Sequence, residues 1–332
     1  MRKKLPLTLI ISLIVLCSFN LLMISSLSPQ LFLKQVLSWF LGIILFIIGL
    51  QINPKQTQPY QWSIYIFSCF LVLLPIILGN VTRGSSRWIN IGFLSLQPSE
   101  IVKVPLMLFL SNCTQPFFLI IPVLIVMLQP DLGSAITIMV LILPTIFYNK
   151  KLFKLSLVVG IILIIFSPLV YRYFLRDYQR QRINQFLKPA SDPLGQGYNL
   201  IQSQIAIGSG GLFGKGYRQG TQAQLLFLPE KHTDFIFAAT TEELGFFAVT
   251  LIIIAYFLII KTLINKAFKT TNNLPLFLFT LGIAIEIWTQ TFINIGMNLG
   301  LLPVTGIPLP FMSVGGSSIM FLLFSLGIIY SS

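Results

Sequence analysis

Apolar segments about as long as a bilayer is thick recur along this sequence, and they determine the solvent in which it folds. Because the hydrocarbon core of a membrane is about 30 Å thick, a helix needs about 20 apolar residues to cross it. Such segments lie near residues 7–27, 31–50, 61–79, 132–149, 152–172, 236–260, 274–298 and 311–330. With 55% apolar and only 9% charged residues, the chain is predicted to be an all-α polytopic membrane protein, one integral membrane domain over residues 1–332.

Two further apolar segments, residues 99–111 and 116–129, are each short of a full span. They predict either two short or tilted helices or a re-entrant hairpin. In both cases the chain returns to the side of the membrane that it left, so the sidedness of later segments is unchanged.

The positive charges are distributed unevenly. A net charge of +13 would suggest nucleic-acid binding in a soluble protein, but here ten basic residues lie at the start of the chain or in connections without acids. They are Arg2, Lys3, Lys4, Lys55, Lys150, Lys151, Lys154, Lys261, Lys266 and Lys269. Because cytoplasmic loops carry excess lysine and arginine, we expect both termini in the cytoplasm and no nucleic-acid partner. Residues of about 173–235 then form one large extracellular loop.

Cysteine and histidine usage excludes several kinds of site. Cys17, Cys69 and Cys113 share no metal-like spacing, and three cysteines within or at the end of apolar segments favour neither a disulfide framework nor a thiol metal site. His232 is the only histidine, so a cluster of histidine ligands is excluded and a Ser-His-Asp arrangement would have to use it.

The segment Pro229–Gly245 combines five acidic or basic side chains with the only histidine, directly before an apolar run. Asp234 is predicted at the water–lipid boundary, with Glu242 and Glu243 two to three turns along the following helix. Ionisable groups inside a bilayer cost roughly 2.5 to 3.5 kcal/mol each and by default suggest function. The alternatives are helix capping by Asp234 and ordinary interhelix hydrogen bonding by the two glutamates.

Three other places carry charges that could matter. Arg83 and Arg87 flank the outer interface, where they either anchor the chain beside Trp88 or face a phosphate. Glu100 and Lys103 are three residues apart, hence neighbours on one helix face, and predict an intramembrane ion pair. Asp131 lies at the outer end of a span, where it either caps a helix or contacts a metal or substrate.

Two glycine-rich segments need a separate interpretation. Residues 208–216 resemble a phosphate-binding loop in composition, but their spacing matches neither the P-loop nor the dinucleotide pattern. The glycines instead indicate a flexible backbone that another segment can approach closely, with Lys215 and Arg218 at its edge. Residues 306–318 lead polar backbone into the last span, as binding cavities in membrane proteins often require.

The large loop begins with basic residues. A basic helix is expected to extend the span 152–172 above the membrane, from Arg172 through Arg176, Arg180, Arg182 and Lys188.

A family resemblance is visible in residues 83–103, 129–134, 208–245 and 300–318, which resemble the signature regions of the RodA/FtsW (SEDS) family of bacterial peptidoglycan polymerases. Residues 219–234 and 302–311 are more similar to the rod-shape branch than to the division branch. The resemblance covers nearly the whole chain. Two departures are Leu226, where an acid is common, and Val314, where an aromatic residue is usual before Gly-Gly-Ser-Ser.

The resemblance implies about ten transmembrane helices and a multi-pass protein of the bacterial plasma membrane. It implies a glycosyltransferase that polymerises lipid II into glycan strands during cell-wall elongation and cell-shape maintenance, with undecaprenyl pyrophosphate as leaving group. Its expected partners are a class B penicillin-binding protein acting as transpeptidase, lipid II, the nascent glycan strand and membrane lipids. Asp234 matches the family's essential aspartate, and Glu100 with Lys103 matches its intramembrane pair.

The chemistry then needs a base for the acceptor hydroxyl and positive charge for the pyrophosphate. Asp234 is our expected base, and the expected substrate-binding residues are Arg87, Lys231, Arg218 and Lys215. A divalent cation, Mg²⁺ or Mn²⁺, could assist, although no metal-ligand spacing identifies its ligands. The alternatives are a lipid II flippase, with intramembrane charges lining a polar pathway, and a non-catalytic scaffold of a cell-wall synthase complex.

Overall fold

The structure is a computed structural model that describes residues 5–78, 87–91, 94–174, 180, 184, 186 and 196–331. Its α-helices, in chain order, are α1 (Leu7–Leu27), α2 (Pro29–Gly49), α3 (Gln61–Leu78), α4 (Pro98–Ile101), α5 (Lys103–Cys113), α6 (Ile120–Leu128), α7 (Leu132–Val140), α8 (Leu143–Tyr148), α9 (Lys150–Ile165), α10 (Ser167–Leu169), α11 (Gln196–Ser209), α12 (Thr221–Gln224), α13 (Ile236–Lys269), α14 (Leu274–Asn298) and α15 (Gly316–Ile329). Helical turns at Pro54–Tyr60, Pro116–Leu119 and Val170–Phe174 adjoin them. A short antiparallel hairpin pairs β1 (Ile89–Ile91) with β2 (Leu94–Leu96).

Five helical segments of the described chain are long and apolar enough to cross a membrane. They are Leu7–Leu27, Pro29–Gly49, Pro54–Leu78, Ile236–Lys269 and Leu274–Asn298, and shorter apolar helices cover Pro116–Leu128, Leu132–Tyr148 and Gly316–Ile329. Large apolar side chains cover their outer faces; Leu33 of α2, for example, is 76% exposed. Such surfaces suit lipid, so the prediction of an all-α polytopic membrane protein is confirmed.

Several predicted span boundaries differ from the structure for local reasons. The predicted span 132–149 is divided into α7 and α8, with Pro144 in the first turn of α8, where its missing N–H is tolerated. The last span was predicted to begin at residue 311, but Phe311 has a positive φ of 61° and α15 begins at Gly316. Helix α13 continues nine residues beyond the predicted end at 260 and is kinked at Gly245.

The two short apolar segments form short helices that lie beside α3. At the end of α5, Asn112 Nδ2 donates to the Pro54 carbonyl at 3.1 Å, beside the start of α3. Beyond α6, Gln129 Nε2 donates to the Val72 carbonyl at 2.5 Å, near the other end of α3. The chain therefore travels away along α5 and returns along α6.

Long-range hydrogen bonds define two ends of the helix bundle. Helix α1 is antiparallel to α13, because Ser26 contacts Glu243 at 2.6 Å while Thr8 contacts Thr262 at 3.2 Å. The first of these ends, which we call the loop end, gathers residues 87–91, 94–97, 129–134, 210–235 and 299–315. The opposite end, which we call the basic end, carries Lys55, Lys150, Lys151, Lys154, Lys266 and Lys269. The predicted separation of basic connections from the large loop is therefore present.

The large loop is described only in part. Helix α11, the turn α12 and residues 210–235 pack beside α13, and Arg180 Nη2 donates to the Arg172 carbonyl at 2.9 Å. The remainder of the predicted basic helix (Arg176, Arg182 and Lys188) lies outside the described residues, as does Arg83.

Candidate active site

The backbone of Asp234 is held by two buried asparagines of α14. Asn294 Nδ2 and Asn298 Nδ2 each donate to the Asp234 carbonyl at 3.0 Å. Asn298 Oδ1 also accepts from the Ala238 N–H at 3.2 Å, in the first turn of α13. Both asparagines are fully buried, whereas Asp234 itself is half-buried. These hydrogen bonds within the protein therefore fix the backbone position of Asp234.

A second segment, residues 304–314, packs across the residues before Asp234. Ser313 Oγ donates to the Thr233 carbonyl at 2.6 Å, and the Val314 N–H donates to the His232 carbonyl at 2.9 Å. Gly306 lies in this segment with a φ of 73°, and a Cβ built on it would lie 3.6 Å from Asp234 Oδ2. The Asp234 carboxylate therefore lies within van der Waals distance of the side-chain position at Gly306.

Helix α7 supports the other side of this segment. A Cβ on Gly133 would lie 2.9 Å from the Thr305 carbonyl oxygen, so the two backbones are in close contact. Asp131 caps α7 by accepting from the Ser134 N–H at 3.1 Å. Its Oδ1 lies 3.7 Å from Arg87 Nη1. The capping alternative for Asp131 is therefore present, and Arg87 and Asp131 lie at the same end of the bundle as Asp234.

Arg87 fastens the β-hairpin to this corner. Its guanidinium donates to the backbone carbonyls of Gln129 and Pro130 in addition to approaching Asp131. Gln97, which follows β2, donates to Asp131 Oδ2 at 3.3 Å. The Arg87 side chain remains about one-quarter exposed. Arg87 is thus both an architectural link and a positive charge at the rim.

Lys231 lies three residues before Asp234 and is buried. Its Nζ donates to the Ala223 carbonyl at 2.6 Å. Burial lowers the pKa of Lys231, and the nearby Glu243 carboxylate opposes that effect. An ammonium has three N–H donors, so a second partner of negative charge is chemically compatible with its environment.

Lys215 and Arg218 lie with the two glutamates of α13. Lys215 Nζ is 2.7 Å from Glu242 Oε1. The Arg218 N–H donates to Glu243 Oε2 at 3.2 Å, while its guanidinium donates to the Ser25 carbonyl at 2.8 Å. These two predicted substrate-binding residues therefore already have partners. Glu243 makes an interhelix hydrogen bond to Ser26 of α1, as the alternative interpretation predicts, whereas Glu242 bonds residues of the large loop.

The glycine-rich residues 208–216 pack against the kink in α13. Gly245 has a φ of 78°, and a Cβ on it would clash with Gly214 N. The N–H groups exposed by the kink are satisfied, because Phe246 donates to the Gly211 carbonyl at 2.9 Å and Phe247 donates to the Leu212 carbonyl at 3.1 Å. The glycines therefore serve close backbone approach, as the spacing argument predicts.

The predicted ion pair inside the bundle is present and has a third member. Lys103 Nζ lies 2.5 Å from Glu100 Oε1 and 3.2 Å from Glu286 Oε1. All three side chains are buried, and Gln290 Nε2 adds a donor to Glu286 at 3.3 Å. Two carboxylates around one ammonium make this cluster dependent on Lys103.

Asn294, Asn298 and Ser313 were not among the residues predicted from the sequence. A signal for the first two exists, because asparagines at i and i+4 in an apolar span face the same side of a helix. Ser313 has no comparable signal, since its partner, Thr233, is 80 positions away.

A divalent cation finds no preassembled site in the described part of the chain, where no three His, Cys, Asp or Glu side chains gather. Asp131 is engaged by Arg87, Gln97 and Ser134. Asp131, the acid predicted as a possible metal contact, is therefore occupied by partners within the protein.

Comparison with known proteins places this architecture in one family. The FtsW/RodA/SpoVE family model, described as cell cycle protein, matches residues 3–332. The chain is 36% identical to peptidoglycan glycosyltransferase MrdB of Escherichia coli K12 over 98% of this chain and 92% of that protein. It is 32% identical to a probable peptidoglycan glycosyltransferase FtsW of Geobacter sp. M18, over 95% and 93%.

Solved structures agree with the fold. A chain from a peptidoglycan synthase complex, whose polymerization and crosslinking are structurally coordinated, superposes with a TM-score of 0.83 at 27% identity, covering 97% of this chain and 95% of that one. The rod-shape-determining protein RodA of Thermus thermophilus superposes with a TM-score of 0.69 at 24% identity, over 97% and 94%. This chain belongs to the FtsW/RodA/SpoVE family of cell cycle proteins, in its RodA branch.

Proposed function

We propose that this protein is a peptidoglycan glycosyltransferase that polymerises lipid II into glycan strands during cell-wall elongation and cell-shape maintenance. The E. coli relative at 36% identity bears the name peptidoglycan glycosyltransferase. The observation that carries the proposal is the half-buried Asp234 carboxylate, whose backbone is held by Asn294 and Asn298 and which faces Gly306. A carboxylate held in this way is suited to take a proton from a bound hydroxyl.

The proposed reaction is a single displacement. The 4-hydroxyl of the acceptor sugar attacks the anomeric carbon of the donor, and the Asp234 carboxylate takes the hydroxyl proton. The bond between the anomeric carbon and the pyrophosphate oxygen breaks, and undecaprenyl pyrophosphate leaves with the electron pair. Because pyrophosphate is already a good leaving group, it needs no second carboxylic acid of the kind that glycoside hydrolases use.

Positive charge is needed where the pyrophosphate departs. Lys231 is the first candidate, because it is three residues from Asp234 and its ammonium donates to the Ala223 carbonyl. Arg87 contributes charge from the other side of residues 304–314. Arg218 and Lys215 belong to the loop that packs beside Glu242 and Glu243 of α13. They add to the local positive field, while the Arg218 side chain binds the Ser25 carbonyl and the Lys215 side chain binds Glu242.

We further propose a bacterial plasma-membrane location, with the basic end in the cytoplasm and the loop end outside. The support is the separation of basic connections from the large loop. A class B penicillin-binding protein is the proposed transpeptidase partner, since a structural relative belongs to a peptidoglycan synthase complex. Lipid II, the nascent strand and membrane lipids are the other proposed ligands.

The decisive experiment is strand synthesis from lipid II by the purified protein in proteoliposomes, with Asp234→Asn as the variant. The amide keeps the size of the side chain but cannot take a proton, so we expect a fall in rate of about 10²- to 10⁴-fold. Glu230→Gln, the same change four residues earlier, is the matched control and should leave the rate near normal. Near-normal synthesis by Asp234→Asn would contradict the assignment of the base.

The flippase alternative has one structural observation in its favour, the buried cluster of Glu100, Lys103 and Glu286 inside the bundle. Lipid II movement between leaflets should therefore be measured on the same Asp234→Asn preparation. Retained movement without synthesis supports the polymerase, whereas synthesis with lost movement supports the transporter. Strand synthesis by the wild-type protein without any partner would exclude the scaffold.

A further inference from the structure

Glu242 is a fully buried carboxylate surrounded by hydrogen-bond donors. Its Oε1 accepts from Lys215 Nζ at 2.7 Å, from Thr221 Oγ1 at 3.1 Å and from the Gln222 N–H at 2.9 Å. Its Oε2 accepts from the Ala223 N–H at 3.1 Å. Two carboxylate oxygens therefore accept from four donors. An ionised carboxylate suits this arrangement because both of its oxygens only accept, whereas a protonated carboxyl group would direct an O–H donor at another donor.

These four donors belong to residues 215–223 of the large loop, which Glu242 thereby holds against α13. Glu243 holds the same part of the loop from the next position, because its Oε1 accepts from Gln224 Nε2 at 2.7 Å and its Oε2 accepts from the Arg218 N–H at 3.2 Å. The backbone carbonyls of both glutamates also accept, from the Lys215 and Gly216 N–H groups at 2.9 and 3.0 Å. The loop is thus fastened by backbone and side-chain bonds together.

One peptide of this loop connects Glu242 to the candidate active site. Ala223 donates its N–H to Glu242 and accepts from Lys231 through its carbonyl, at 2.6 Å. Lys231 stands three residues before Asp234. The far side of that short segment is fixed by Asn294 and Asn298. The segment Lys231–Asp234 is therefore held between α14 on one side and the Glu242-bound loop on the other.

We propose that Glu242 is a positioning residue for Lys231 and Asp234, acting through residues 215–223 and the Ala223 peptide; this inference rests on the proposed polymerase function. Glu242 touches neither the base nor the leaving group. Its negative charge collects the donors of the loop, and the loop then orients the Lys231 ammonium. Lys215, in this arrangement, serves chiefly as a partner of Glu242.

Glu242→Gln is the first variant, because the amide replaces one acceptor oxygen by a donor that faces existing donors. We expect kcat for strand synthesis, per folded molecule, to fall about 10- to 100-fold, as small displacements of catalytic groups produce. The acidic limb of the rate–pH profile should also shift along the pH axis, since the charges around Asp234 move with the loop. A purely structural role would lower the folded fraction and leave that limb in place.

Glu286→Gln is the matched control, a buried carboxylate changed to the same amide in the bundle interior. It should lower the folded fraction and leave the pH profile of the remaining molecules unchanged. Thr221→Val is the milder second variant, since it removes one of the four donors from an exposed side chain. It should reduce kcat less than Glu242→Gln and move the acidic limb in the same direction, whereas Thr250→Val on α13 should do neither.

The outcomes separate this inference from the proposed function. Wild-type kcat and pH profile in Glu242→Gln overturn the positioning role, even if Asp234→Asn is inactive. If Glu242→Gln cannot be recovered folded, a wild-type kcat and profile in Thr221→Val overturn it equally. An active Asp234→Asn variant would instead refute the base itself, whatever Glu242→Gln shows.

Discussion

Asn298 Nδ2 donates a hydrogen bond to the backbone carbonyl of Asp234 at 3.0 Å, across 64 positions of the chain. The same Nδ2 donates to the Asn294 carbonyl at 2.8 Å, while Oδ1 accepts from the Ala238 N–H. The end of α14 thus holds both the candidate base and the first turn of the helix that follows it.

Asn298→Asp should therefore be costly despite its small change in size. The variant keeps an acceptor for Ala238 but loses both donors, and it places a buried carboxylate oxygen against the carbonyl oxygens of Asp234 and Asn294, although Asn294 Nδ2 still donates to the Asp234 carbonyl. We expect lower thermal stability and slower strand synthesis from lipid II. Asn273→Asp is the control, because that residue caps α14 through its side-chain oxygen and aspartate caps equally well. Equal behaviour of the two variants would show that the contact with Asp234 is unimportant.

Burial lowers the pKa of Lys231 below the ordinary lysine pKa of 10.5. The rate of strand synthesis should therefore begin to fall at an alkaline pH lower than 10.5. Loss of the ammonium removes charge from the departing pyrophosphate. In Lys231→Arg, this limb should move to higher pH, since a guanidinium stays protonated. The measurement is the initial rate from pH 7 to 10, and an unmoved limb would contradict the role of Lys231.

Unfolding linked to Lys231 cannot produce this alkaline fall. Between the lowered folded pKa and 10.5, the unfolded chain holds more protons than the folded one at this residue. The contribution of Lys231 to the free energy of unfolding therefore rises with pH in that window. Stability should be followed in parallel to confirm that the protein remains folded.

The Glu100, Lys103 and Glu286 cluster should respond most strongly to loss of its cation. Lys103→Met leaves two buried carboxylates without their ammonium, at a cost of about 3–5 kcal/mol, and Glu100→Gln should cost less because Glu286 remains 3.2 Å from Lys103. The double variant should be no less stable than the worse single one. Thermal unfolding of the purified proteins tests this, with the exposed Lys261→Met as control, and strict additivity would show that the residues are uncoupled.

Gly245→Ala should destabilise the protein severely. Gly245 has a φ of 78°, and a Cβ there would clash with Gly214 N. Gly160→Ala is the control, because a Cβ on that helical glycine meets nothing within 4 Å and alanine favours the helix by roughly 0.5–1 kcal/mol. In thermal unfolding, the melting temperature should fall in Gly245→Ala and rise in Gly160→Ala. Similar melting temperatures for the two variants would contradict the close packing at the kink.

The proposed topology can be tested with two single cysteines in a background lacking Cys17, Cys69 and Cys113. Leu226, at the loop end, is 74% exposed, and a thiol replacing it should react with an impermeant reagent added outside intact cells. A thiol replacing Lys150, at the basic end, should react only after permeabilisation. The reverse pattern would invert the orientation.

The membrane class and most helices could be predicted from the amino-acid sequence, because span length and apolar composition are local properties. Leu7–Leu27 and Leu274–Asn298 match the predicted bounds for that reason. Glu100 and Lys103 could be paired from a spacing of three residues, and the family was visible in residues 219–234 and 302–311. Boundaries near Phe311 and Pro144 were missed, because tertiary packing and proline position decide where a helix begins.

Which distant residues share the site could be seen only after the helices had been packed together. Asn298 reaches Asp234, Ser313 reaches Thr233 and Glu286 joins Lys103, and none of these pairs has a local signal in the chain. Buried donors and carbonyls must find partners wherever the packing brings them. Lys215 and Arg218 were predicted as substrate ligands from charge alone, and the packing of residues 210–224 against α13 gave them partners within the protein.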